Sequence, residues 1–518
     1  MIVMRGQQKD IEASSLASLM VERFIEFGDS IAVVSEHVEY SFLQTLDMSL
    51  NLAMTIHEKG IKDDQLVVVQ DNRSLFSLVA QIACVLTGHT CLPLATNDRL
   101  APDERIEEEP ICNLAIGAIL TPKNTNFETY ISTPETIGGS LWKQHLIEKI
   151  KHVRAGSSAN PCPTVYVTSG TTGSTKAVLQ SEIAILNEIL WTQEYFDLSK
   201  RTRAMWGRSP MFAVSRWEIW SFLLSGCQLH ILPLDIEGSP KKTAEWMTSQ
   251  EIEIAFIPPG VVHAFTQNMW EGNRSLRCVI SGGDILRARP AVPSSCRVFN
   301  SYGISEVSSV RTIFEVPSNY SSGQPIPIGY PIFNTEVYLI QDSTDLCQVD
   351  GEGELYIGGV GLDQGYLGHE GEQKERFLTK SFAGDKIVYK TGDLGKLNRQ
   401  DNSLLFVGRI GVNFISRIDE IEGARRRSLE EIEQAIITIT NVRNACVVEF
   451  DNAQGAPIIV AWLQGNKEDF SEEDVRAKMR TLIPSCFVPD RFHFCSNLPM
   501  TTNGKLDRER IKKWDASI

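Results

Sequence analysis

TVYVTSGTTGSTKAVLQS, Thr164 to Ser181, is the stretch whose reading decides the fold. Apolar and β-branched residues lead into an unbroken run of Gly, Ser and Thr. A single lysine, Lys176, follows, and then an apolar segment. Glycine permits turns that gather backbone N–H groups around an anion, and Ser and Thr hydroxyls add donors. A strand feeding such a loop, with a lysine behind it, is the pattern of a phosphate cradle. The P-loop spacing G-x-x-x-x-G-K-[ST] does not fit. Counted from Gly170, its second glycine falls on Thr175, and Lys176 is followed by Ala177. A solvated Ser/Thr linker is the plainer alternative, and the apolar residues on both sides argue against it.

Composition narrows the surroundings of this loop. The chain has 518 residues, more than one hydrophobic core supports, so two or more subdomains are expected. Its net charge of -15 argues against binding a nucleic-acid backbone or an anionic membrane. No stretch is apolar and long enough for a membrane span, and MIVMRGQQKD at the start lacks a signal-peptide core. Eleven cysteines are scattered without a C-x-x-C pair, which points to reduced thiols rather than zinc or disulfides. The expectation is a cytoplasmic enzyme.

Strand-like and helix-like runs alternate through LVVVQ (Leu66–Gln70), LVAQIACVLTG (Leu78–Gly88), IEIAFIPP (Ile252–Pro259) and LRCVISGG (Leu276–Gly283). That alternation predicts α/β layers. After about Gly351, GEGELYIGG and SLLFVGRIG read as short antiparallel strands punctuated by glycine. The charge-rich end reads as a small α+β unit. The expected division is residues 1–409 as a large core and 410–518 as a small mobile unit.

SGTTGSTK resembles the signature loop of the adenylate-forming superfamily, which includes acyl-CoA synthetases, luciferases and the adenylation domains of nonribosomal peptide synthetases. Thr175 and Ala177 stand where that loop has proline and glycine. Further segments resemble the family's motifs in order. They are VEYSFLQ (Val38–Gln44), CVLTGHTCLPLA (Cys84–Ala95), FAVSRWEIW (Phe212–Trp220), NSYGISE (Asn300–Glu306), GELYIGGVGLDQGYLG (Gly353–Gly368), YKTGDLG (Tyr389–Gly395) and LPMTTNGKLDR (Leu498–Arg508). SRWEIW, GELYIGG and NGKLDR are the phrasing of the peptide-synthetase branch.

The resemblance implies a large multi-layer α/β domain with a small mobile α+β domain. It also implies ATP-dependent, Mg²⁺-assisted activation of a carboxylic acid to an acyl-adenylate. Two anions must meet in that reaction, so cations and oriented donors are needed where charge develops. By resemblance, Ser169, Gly170, Thr171, Thr172, Gly173 and Lys176 hold the β and γ phosphates, and Glu306 is the Mg²⁺ carboxylate. Tyr302, beside Gly303, stacks on adenine, Asn300 reads its edge, and Gly282 and Gly283 let backbone approach its other face. Asp393 accepts the ribose hydroxyls, Arg409 adds a ribose or phosphate contact, and Lys505 bridges carboxylate and α-phosphate. Taken alone, Glu306 and Lys505 would be ordinary surface residues and Tyr302 an ordinary buried tyrosine. Their places in the motifs give them roles.

Two departures bear on the reaction. Amino-acid-activating members carry aspartate where this chain has Ala213, and an unpaired buried ammonium is costly. The positions expected to line the acid pocket are Ala213, Val214, Trp217, Phe256, Val279, Ser281, Ser301, Ser309 and Val310. They form an uncharged lining that suits an aryl, hydroxy, keto, aliphatic or β-amino acid. Gly411 stands at the pivot position, where the family has aspartate, and IDEIEG (Ile418–Gly423) reads as an insertion in the next motif. Ser428-Leu429-Glu430-Glu431 then reads as a capping box, with Leu429, Ile432 and Ile436 on an apolar helix face. No carrier segment follows Arg508, so the expected acceptor is the thiol of a separate phosphopantetheinyl carrier protein. A free amine, or CoA with ARRR (Ala424–Arg427) as its cationic patch, is the alternative. A binding module without activity is disfavoured because the loop, Glu306, Asp393 and Lys505 all remain.

Overall fold

A computed structural model describes residues 3–13, 15–62, 65–95, 116–122, 125, 127, 148–150, 162–169, 175–237, 239–320, 324–342, 345–346, 351–367, 370–410, 429–439, 442, 444–451, 457–465, 471–483, 488–500 and 506–515. Statements of absence below refer to these residues.

The alternation of strand and helix builds a nine-stranded sheet. Its order is Tyr330–Pro331, Thr312–Val316, Arg297–Tyr302, Cys278–Gly282, Ile254–Phe256, Arg203–Trp206, Gln228–Ile231, Ile31–Ser35 and Val38–Ser41. The inner strands pair in parallel, and the edge pairs are antiparallel. Parallel strands are covered on both faces, so they read as continuous apolar runs. Alternate residues then enter opposite cores. Phe256, Ile280 and Phe299 pack with Trp217 in one cluster, while Ala255, Val279 and Val298 pack with Met205 and Met247 in another.

Leu66–Gln70, read as a strand, is buried between Thr90–Leu94 and Ile116–Leu120, parallel to both. The helix Leu75–Thr87 joins two of these strands. Ser74 caps its start by accepting from Ser77 N, and Gly88 ends it in the left-handed conformation. Val165–Ser169 and Thr175–Leu179 form an antiparallel pair flanking the Gly/Ser/Thr loop, with Gly365–Tyr366 added at the edge.

The glycine-punctuated region is antiparallel, as its texture predicts. Glu352–Gly359 pairs with Thr335–Asp342 and Lys386–Leu397, and Leu404–Arg409 extends the sheet. The chain then changes core. The strands Asn444–Asp451, Pro457–Gln464 and Arg491–Cys495 carry the helices Leu429–Ile439, Glu472–Leu482 and Arg508–Asp515. Leu429, Ile432 and Ile436 pack there with Val447, Met479 and Phe492. The capping residue Ser428, the pivot Gly411, the insertion 418–423 and residues 424–427 lie outside the described residues. No described helix is long and apolar enough to cross a membrane. The described cysteines are free thiols, all but Cys495 buried.

Candidate functional site

The strand Arg297–Tyr302 runs into Gly303, and the turn that follows carries Glu306. Glycine is required at 303 because an added Cβ would lie 2.2 Å from Ser309 O. Tyr302 Oη donates to Asp393 Oδ2 at 2.7 Å, and Arg409 Nε donates to Asp393 Oδ1 at 2.6 Å. Asp393 and Arg409 face each other because Lys386–Leu397 pairs with Leu404–Arg409 in that register. The carboxylate is buried, so charge-assisted bonds hold it where an unpaired one would be costly. Burial, and then the negative charge of Asp393, push the Tyr302 hydroxyl well above its usual range. For Arg409, burial works against the charged form, but Asp393 outweighs it and the net shift is upward.

Asn300, on the same strand, donates its amide to Pro327 O at 2.8 Å, which fixes the orientation of the side chain. Gly282 packs against the neighbouring strand: a Cβ there would meet Ser301 Oγ at 2.3 Å. Gly283 turns with φ +82 and has open space around it.

Glu306 Oε1 accepts from Tyr366 Oη at 2.8 Å, and Tyr366 Oη lies 3.0 Å from Tyr389 Oη. Lys176 Nζ sits 5.4 Å from the centre of the Tyr366 ring. One tyrosine therefore links the lysine behind the loop to the candidate metal carboxylate. Asp363 makes a second link. It accepts from Ser181 N, Ser308 N and Ser308 Oγ, tying the end of the loop's return strand to the turn that carries Glu306. Burial pushes its carboxyl up to about 6. Asp363, Tyr366 and Tyr389 fall inside motif-like segments of the sequence, but nothing in those segments gives them roles. Their partners lie far away in the chain.

Gly170, Thr171, Thr172, Gly173 and Lys505 lie outside the described residues. Ser169 ends the strand that leads into the loop. No group of three or more His, Cys, Asp or Glu residues suited to a metal ion occurs among the described residues. Glu306 alone still fits Mg²⁺, which binds through one or two carboxylates and takes its other ligands from substrate phosphates and water.

For the acid pocket, the strand alternation corrects two of the nine expected positions. Trp217 and Phe256 meet edge to face at 6.3 Å, and Val310 joins their cluster. Val214 packs partly buried against it, while Ala213 and Ser301 are buried. Val279 packs instead with the core on the opposite face. Ser281, two residues on, shares the Val279 parity. Ile280 and Gly282 are the strand residues on the Trp217 side. The expected lining is one residue out of register here, and a one-residue slip reverses every side chain of a strand.

Around Ser309 and Val310 lies buried charge that the sequence does not announce. Glu188 and Arg216 are each 1 % exposed and Arg311 is wholly buried. Glu188 Oε1 accepts from Ser309 N, Val310 N and Arg311 Nη2, and Oε2 accepts from Arg216 Nη2. Burial pushes its carboxyl up, but the two arginines and two backbone donors prevail and the net shift is downward. Ser309 Oγ donates to Ala213 O at 2.7 Å and accepts from Arg216 Nη2 at 3.1 Å. Nearby, Glu218 accepts from Gly207 N and Arg208 N, and burial pushes its carboxyl up to about 8.

The sequence and fold are similar to those of known proteins. A family model described as AMP-binding enzyme matches residues 22–367, and one described as AMP-binding enzyme C-terminal domain matches residues 431–505. Bacitracin synthase 1 of Bacillus licheniformis is 26% identical over 517 residues, covering 98% of this chain and 9% of that protein. Tyrocidine synthase 1 of Brevibacillus parabrevis is 28% identical over 513 residues, covering 97% of this chain. The chain spans 45% of that relative's length. The structure of Klebsiella oxytoca NpsA in complex with 3-hydroxyanthranilyl-AMSN has the same fold. Its TM-score is 0.76 at 22% identity, over 98% of this chain and 100% of that one.

Proposed function

The chain belongs to the AMP-binding, adenylate-forming enzyme family, and from that premise we propose that it activates a carboxylic acid with ATP. The acid's carboxylate oxygen attacks the α-phosphorus, the bond to the leaving phosphate breaks, and acyl-adenylate and pyrophosphate result. One observation carries this reading. The turn from Tyr302 to Glu306 gathers Asp393 and Arg409 at one end and Tyr366, with Lys176 behind it, at the other. On this reading a nucleoside end and a phosphate end would share one short segment.

On this reading Asp393 accepts the ribose hydroxyls, Arg409 holds Asp393 in place, and Tyr302 stacks on adenine beside Gly282, Gly283 and Asn300. The loop Ser169 to Gly173 and Lys176 hold the β and γ phosphates. Mg²⁺, when bound at Glu306, neutralises phosphate charge. Lys505, in the small unit of residues 410–518, bridges carboxylate and α-phosphate as the bond forms. The proposed acid is not a standard α-amino acid, because Ala213 offers no partner for an ammonium.

The proposed second step is transfer to the thiol of a separate phosphopantetheinyl carrier protein, with AMP leaving. The insertion 418–423 favours a free amine as the competing acceptor, which would give an amide. Both readings place the protein in the cytoplasm, where ATP is available. ATP–pyrophosphate exchange across a panel of acids tests the first step. Failure of every acid to support exchange would remove the enzyme reading. Incubating an active acid with a carrier protein, an amine or CoA then identifies the acceptor by its product mass.

A further inference from the structure

Two hydroxyls border the cluster of Trp217 and Phe256, Ser301 on the strand of Phe299 and Ser309 beside Val310, and each gives its proton to a backbone carbonyl. A serine offers one O–H donor and two acceptor sites. Ser309 gives its proton to Ala213 O at 2.7 Å. One of its acceptor sites is taken by Arg216 Nη2, and a guanidinium can only donate. Ser301 gives its proton to Ser281 O at 3.1 Å. Lone pairs are what both serines have left to offer.

Glu188 lies beside Ser309, but its two oxygens already serve four donors: Arg216, Arg311, Ser309 N and Val310 N. Oε2 serves Arg216 alone, but two guanidinium groups already face this one buried carboxylate, so an added ammonium would meet net positive charge without a partner of its own, which is strongly disfavoured. Building on the adenylation reading above, we propose that the activated acid carries a neutral hydrogen-bond donor, a hydroxyl or an aromatic amino group, accepted by Ser309 and Ser301. A keto or methoxy oxygen at that place would face lone pairs with lone pairs. To bond it, Ser309 would have to release Ala213 O while Arg216 still occupied its acceptor side. A methyl group would leave the serine lone pairs unused, and an aliphatic ammonium would be buried unpaired. Of the acids left open by the sequence, the keto, plain aliphatic and aliphatic β-amino classes therefore drop out. Hydroxy acids and amino- or hydroxy-aryl acids remain.

The test is ATP–pyrophosphate exchange on one aromatic acid frame bearing hydroxyl, amino, methyl or methoxy at each ring position in turn. At the best position, kcat/KM for the hydroxyl or amino acid should exceed that for the methyl or methoxy acid by about tenfold or more, the worth of one buried hydrogen bond. Ser309→Ala should bring that ratio toward one. Ser301→Ala gives a second, independent reading should Ser309→Ala fail to fold. A ratio near one in the unaltered protein, a preference for methoxy, or a ratio untouched by both substitutions overturns the proposal and leaves adenylation standing. Absence of exchange with every acid of the set, and with aliphatic hydroxy acids assayed beside it, overturns both together.

Discussion

At the scale of single residues, position in the chain and burial carry different information. Lys505 is legible only from its motif, and its expected effect is large. Lys505→Ala should lower ATP–pyrophosphate exchange by about a thousandfold or more, because it removes the cation placed where charge develops. Near-normal exchange would remove the role assigned to it. Glu218 shows the opposite case, a residue whose behaviour comes from burial alone. Its carboxyl moves from 4.5 to about 8 on folding, so the folded chain binds a proton that the unfolded chain has released. Stability from this group is full below pH 4.5 and is lost as pH rises toward 8. Denaturant unfolding across that window should show a falling stability that Glu218→Gln flattens. Parallel curves for the two proteins would show that the carboxyl is ionised throughout. Nothing in SRWEIW announces this shift, because burial in the surrounding core produces it, against the opposing pull of Gly207 N and Arg208.

At the scale of elements, the strands and helices were readable, and so was the apolar face Leu429, Ile432 and Ile436, but the two faces of a doubly buried strand were not. Leu66–Gln70, Cys278–Gly282 and Leu429–Ile439 follow from apolar runs or helical spacing in the sequence. The slip from Ile280 to Val279 in the expected pocket lining shows the limit. In a strand buried on both faces every residue is apolar, so alternation leaves no mark in the sequence. The helix Glu182–Tyr195 gave no functional signal either, yet its Glu188 joins Arg216 on a second helix to Arg311 beyond the turn that carries Glu306. Glu188→Ala would leave two guanidinium groups buried without their shared carboxylate. It should cost about 3–5 kcal/mol of stability, measured by chemical denaturation. A loss below about 1 kcal/mol would mean that water or rearrangement replaces the carboxylate.

At the scale of the whole molecule, the large and small units meet through Glu433. It is fully buried, accepts from Val447 N at 2.9 Å and Arg508 Nη2 at 2.6 Å within its own unit, and pairs with Arg287 of the large unit. Arg508 begins the helix Arg508–Asp515, three residues after Lys505 in the sequence. Arg287→Ala should loosen the two units while each keeps its own core. Small-angle scattering should report a larger radius of gyration with unchanged circular dichroism. Unchanged scattering would show that the pair does not hold the units together. The class of fold and the order of its motifs were legible in the sequence, since those depend on residue types at short spacing. Only the tertiary structure decided which face of Cys278–Gly282 the Trp217 cluster meets, that Asp363 and Tyr366 tie Lys176 to Glu306, and that a charge cluster stands behind Ser309. Each of these depends on partners far apart in the chain, and burial, which sets how such partners interact, exists only once the layers have closed.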